Sequence, residues 1–87
     1  MTYTIKHGRI AALQYITTPE GETLTAVYMS EAKQPEVNRE GHGANIWHTL
    51  PLPVQAAINR QFGIVFSLPL AARENFVLSS IPFEVTA

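Results

Sequence analysis

Polar and apolar positions alternate from the start of the chain. In "TYTIKHG", Tyr3 and Ile5 point one way and Thr2, Thr4 and Lys6 the other, the period of a half-buried strand. His7-Gly8 then reads as a two-residue turn, since glycine accepts a positive φ and histidine tolerates one better than most residues. "RIAALQYIT", residues 9–17, and "ETLTAVYMS", residues 22–30, are rich in β-formers and read as two more strands. "TPEG" between them predicts a tight turn, with proline at its second position and glycine where a left-handed residue is wanted. The three strands form an antiparallel meander.

Periodicity stops at residues 31–45, which hold Pro35, Gly41 and Gly43 and read as one long loop. In "LPVQAAINRQFG", residues 52–63, Val54, Ala57, Ile58 and Phe62 make an apolar helical stripe. Pro53 suits its first turn and Gly63 its C-terminal cap. "IVFSL", residues 64–68, reads as a short apolar strand and "PLAAREN", residues 69–75, as a helical turn or two. "FVLSSIPFEVTA" is β-like, with Pro82 sending its final stretch to a sheet edge. The expected fold is one α+β domain over residues 1–87. It has an antiparallel three-stranded meander, one main helix packed on one face, and a short C-terminal β element.

The turns set a register. A two-residue turn at His7-Gly8 pairs Ile5 with Ile10 and Tyr3 with Ala12. The Pro-Glu-Gly loop pairs Thr18 with Glu22, Ile16 with Leu24 and Ala12 with Tyr28. One face then carries Tyr3, Ile5, Ile10, Ala12, Ile16, Leu24, Ala26 and Tyr28 and should meet the helix. Gln14 falls among them and needs a partner there. The other face carries Thr4, Lys6, Arg9, Thr17, Thr23 and Thr25, but also Leu13, Tyr15, Val27 and Met29. Two arrangements account for these apolar residues: residues 64–87 fold over them, or they face another protein. A slip of one residue would exchange the faces.

Composition narrows the function. The 87 residues are 46% hydrophobic and 15% charged, against about 25% charged in typical domains. Part of the surface is therefore not built for water. The net charge is −1, and the six basic residues are scattered, so the footprint of a nucleic-acid binder is missing. There is no aspartate and no cysteine, which removes disulfide, thiol and cysteine-zinc chemistry. With no evident signal peptide and no apolar run long enough for a membrane, a cytoplasmic protein is expected.

Candidate chemistry concentrates in "VNREGHGANIWH", residues 37–48. Glu40, His42 and His48 lie close enough in sequence to converge on an ion, but their spacing matches no common zinc pattern. The competing reading is a polar connector whose glycines permit bends, with Asn45 capping a short helical turn through Trp47. Trp47 serves as a core anchor or as a contact platform, and Arg39 is solvated or reaches a carboxylate or phosphate. Ser79-Ser80 has no neighbouring base in sequence, and no nucleophile elbow, phosphate loop or dinucleotide fingerprint occurs. No enzymatic activity, cofactor or metal is expected.

The reading that results is a small non-catalytic protein-interaction module that inhibits or adapts a larger partner. Its expected partner-binding residues are Leu13, Tyr15, Val27, Met29, Arg39 and Trp47. The alternatives are a homo-oligomeric assembly component and a ligand- or metal-binding module built on the His42/His48 loop. In size and in lacking motifs the chain resembles the accessory proteins of phages and plasmids, including those that inhibit host defence complexes. That resemblance, which covers no specific residue, implies docking on a host protein and a viral or plasmid origin.

Overall fold

Five antiparallel strands form one sheet in the order β4-β3-β2-β1-β5. The description rests on a computed structural model and covers residues 1–30 and 34–87; residues 31–33 of the expected long loop lie outside it. The strands are β1 (Thr2–His7), β2 (Leu13–Thr17), β3 (Thr23–Val27), β4 (Glu36–Arg39) and β5 (Phe83–Thr86). Two helices, α1 (Leu52–Ser67) and α2 (Leu70–Ser79), and a 3-10 turn at Trp47–Thr49 complete the described elements. The α+β class is as expected, and the meander forms the centre of the sheet. It is widened by a strand on each side and joined by a second helix.

The second hairpin has the expected geometry. Gly21 takes φ +86°, Thr18 N–H donates to Glu22 O at 2.8 Å, and Gly21 N–H to Thr18 O at 2.9 Å. Ile16 pairs with Leu24 and Leu13 with Val27.

The first hairpin differs. β1 continues through His7, residues 8–12 form the loop, and Ile5 pairs with Ile16 instead of Ile10. A two-residue hairpin turn needs positive φ, which neither His7 nor Gly8 adopts. The pairing slides by an even number of residues, so the side chains within β1 and β2 keep their expected faces. The cost falls on Ile10, which leaves the core and is 61% exposed.

The helix that should end at Gly63 runs on to Ser67. Gly63 is exposed, and Val65 continues the buried stripe of Val54, Ile58 and Phe62. The apolar "IVFSL" is thus the last turn of α1 and not a strand. Pro69 ends it, because the residue before a proline is driven to extended conformation; Leu68 sits at ψ 151°. Arg73 of α2 donates to Leu68 O and Phe66 O, both at 3.1 Å, satisfying carbonyls that the helix end leaves free. β4 forms inside the expected loop, because four residues behind Pro35 are too few to show a period.

The core lies between the sheet and α1. Ile5, Ile16, Leu24, Ala26 and Val37 from the strands meet Val54, Ile58, Phe62 and Val65 of α1, with Trp47, Leu50 and Val77 closing the sides. Tyr28 stacks on Phe66 with ring centres 4.2 Å apart. No described helix is long and apolar enough to cross a membrane.

Candidate protein-binding surface

Both helices pack on the same side of the sheet. α1 covers the Ile5–Ile16–Leu24 face, and α2 reaches that face too, through Val77 in the core and Phe76 edge-on to His7 at 5.4 Å. β5 extends the sheet beside β1. Residues 64–87 therefore do not fold over the opposite face, and the first of the two arrangements expected from the sequence does not occur. No described element covers that face, and none of its side chains is fully buried.

The register places this open face residue by residue. Lys6, Tyr15, Thr25 and Asn38 lie in one row across the four strands from β1 to β4. Glu84, Thr4, Thr17 and Thr23 form the next row on one side. Leu13, Val27 and Glu36 form the row on the other. Tyr15 thus lies next to Leu13 along β2 and diagonal to Val27 across the strands, both within reach of an aromatic side chain. The Lys6 ammonium lies 5.7 Å from the Tyr15 ring centre, a cation–π distance. Leu13 leans over Gly8: a Cβ at that glycine would stand 2.6 Å from Leu13 Cγ. The patch is apolar at its centre and ringed by threonines and a few charges.

Three of the six expected contact residues lie elsewhere. Met29 follows the end of β3 and borders a hollow with Asn59, Phe62 and Gly63 of α1. Arg39 pairs with Leu24 on the helix side of the sheet and binds Glu22 at 3.0 Å. Trp47 is 3% exposed within the core, the anchor reading of the two. Glu36, Asn38 and Glu84, which no sequence pattern singles out, join the open face. β4 is too short to be read from periodicity, and within the expected C-terminal β element only the pairing with β1 assigns Glu84 its side.

The polar loop has a structural role. Asn45 Oδ1 accepts from the backbone N–H of both Val37 and Trp47, each at 3.0 Å, and Ile46 N–H donates to Val37 O at 2.7 Å. The connector therefore binds the outer edge of β4 and starts the 3-10 turn. Gln55 of α1 donates to Trp47 O and Leu50 O, both at 3.0 Å, fixing that turn to the helix. His42 is exposed in the turn that follows β4, and His48 Nε2 lies 3.1 Å from Gln34 Nε2. Among the described residues no group of three metal-ligating side chains comes together.

His7 sits at the end of β1 on the helix side of the sheet, opposite Gln14. It lines a hollow of about 400 Å³ with Gln61, Phe76, Ser79 and Ser80. Burial holds its pKa below the ordinary histidine value, partly countered by Gln61 beside it. No well-aligned hydrogen bond reaches either ring nitrogen. The fold thus brings a histidine to the serine pair that lacked one in sequence. However, Ser79 and Ser80 both turn their hydroxyls to Phe76 O, at 3.2 and 2.6 Å, so neither is aligned as a nucleophile on His7.

The chain matches no known family, no curated protein and no solved structure.

Proposed function

We propose that the protein is a non-catalytic interaction module that inhibits or adapts a larger protein partner, docking by the open sheet face around Tyr15. The carrying observation is the adjacency of Leu13, Tyr15 and Val27 on the side of the sheet away from both helices. A solvated antiparallel face is normally polar, and the threonine rows obey that rule while this cluster breaks it. Tyr15 is the natural anchor, because a tyrosine at an interface centre offers a large apolar area with a polar tip. Its half-buried ring, held beside Lys6, is partly ordered before any partner arrives. Burying it on contact therefore costs little side-chain freedom. In size and in lack of motifs the module fits the accessory proteins of phages and plasmids that act on host complexes.

The test compares wild type with Tyr15→Glu, after confirming equal melting temperatures. A protein retained from the producing cell by wild type and lost on Tyr15→Glu supports this reading. Retention unaffected by the substitution removes it. If copies of the chain assemble through this face instead, Tyr15→Glu lowers the sedimentation mass and captures nothing different.

A further inference from the structure

The two edges of the sheet are treated differently. On β4 three of the four outward backbone groups, the N–H and C=O of Val37 and the C=O of Arg39, are met from within the chain. Val37 N–H goes to Asn45 Oδ1, Val37 O accepts from Ile46 N–H, and Arg39 O accepts from His42 N–H at 3.1 Å. On β5 the pairing with β1 includes a bond from Ala87 N–H to Met1 O at 2.9 Å. Alternation along an antiparallel ladder then turns the N–H and C=O of Phe83 and Val85 toward β1, and those of Glu84 and Thr86 outward. No described residue meets these outward groups. An unpaired edge of this kind is a template for another strand.

We infer that β5 pairs with β5 of a second copy of this chain, in antiparallel register about a two-fold axis through Val85. The segment "FEVTA" supports this occupant because it is complementary to itself. With Glu84 opposite the partner copy's Thr86, both members exchange hydrogen bonds through backbone groups that already point outward. The helix side of the seam then sets Val85 against its own copy and Phe83 against Ala87. All of these are apolar, and Phe83 and Val85 are only half-buried in the single chain. The other side sets the Glu84 carboxylate against a threonine hydroxyl. The register centred on Glu84 fails on two counts: it opposes Glu84 to its own copy, and it demands an N–H from Pro82. Pro82 and the Glu84 charge, which blunt this edge toward arbitrary strands, leave the self-register unopposed. The product is one continuous sheet with two open Tyr15 faces, formed by an isologous contact that closes on itself.

Sedimentation of the full chain tests this, with circular dichroism confirming the fold of each variant. Wild type is expected at twice the chain mass. Thr86→Pro removes an outward N–H without touching a bond to β1 and should yield monomer. Thr86→Glu, which opposes two carboxylates, should also yield monomer, and adding Glu84→Lys to Thr86→Glu should restore the dimer through a charge pair. A monomeric wild type, or a dimer indifferent to Thr86→Glu, overturns the inference. If Thr86→Pro does not fold, the Thr86→Glu variant and its rescue decide. Tyr15→Glu should leave this dimer intact, which separates its failure from that of the docking face.

Discussion

Gln14 Nε2 donates to Ile58 O across 3.2 Å, joining β2 to the middle of α1 inside the core. Gln14 is fully buried, and its Oε1 has no partner. The side chain holds the helix over the sheet at one point while leaving one polar atom desolvated.

An orphaned buried acceptor costs about as much as a good hydrogen bond contributes. Gln14→Met keeps the volume and removes both atoms, so its stability should lie within about 1 kcal/mol of wild type. Gln14→Ala leaves a cavity and should cost about 2–4 kcal/mol. Denaturant unfolding measures both, and a large loss for Gln14→Met would show that the bond to Ile58 outweighs the orphan.

His7 makes stability depend on pH. Burial holds its folded-state pKa below the ordinary value of 6.5, so the unfolded chain binds the proton first as pH falls. Unfolding then takes up protons, and stability declines as pH drops through about 6.5. Melting temperature should fall between about pH 7 and about pH 5, and His7→Phe should flatten that part of the slope. An unchanged slope in His7→Phe would place the titration elsewhere.

Asn45 meets two backbone donors with one oxygen. Asn45→Ala should cost about 1–3 kcal/mol, since Val37 N–H is left unsatisfied. Asn45→Asp retains the acceptor and should recover most of the loss. Hydrogen exchange at Val37 is the direct readout: it should accelerate in Asn45→Ala and not in Asn45→Asp.

Gly8 has no room for a side chain, because a methyl group there would stand 2.6 Å from Leu13 Cγ and 3.0 Å from Leu13 Cβ. Gly8→Ala should destabilise by about 1–3 kcal/mol as Leu13 is pushed aside. Gly8→Ala combined with Leu13→Ala should cost less than the sum of the two single losses, because the clash disappears with the leucine. Strict additivity in that cycle would mean that the two residues do not meet.

Alternation and turn chemistry alone determined the three central strands, the "TPEG" turn with its left-handed glycine, and which side of the sheet each central residue occupies. These are local properties: a side-chain period of two, and a φ that glycine reaches without strain. The stripe through Val54, Ile58 and Phe62 likewise marked the face of α1. Tertiary structure decided the rest. The first hairpin slid to bury Ile5 beside Ile16 under α1, a preference between residues eleven apart that no local pattern encodes. "IVFSL" became helix because its Val65 had a core to enter, although an apolar run of that length serves strand and helix equally well. β4 exists only through its neighbours, since four residues show no period of their own. The expected C-terminal β element shrank to Phe83–Thr86 because residues 76–79 extended α2. The Tyr15 face is open for the same kind of reason. Its apolar residues were legible in the chain, but whether anything covers them depended on where α2 and β5 packed, and both found their apolar partners elsewhere.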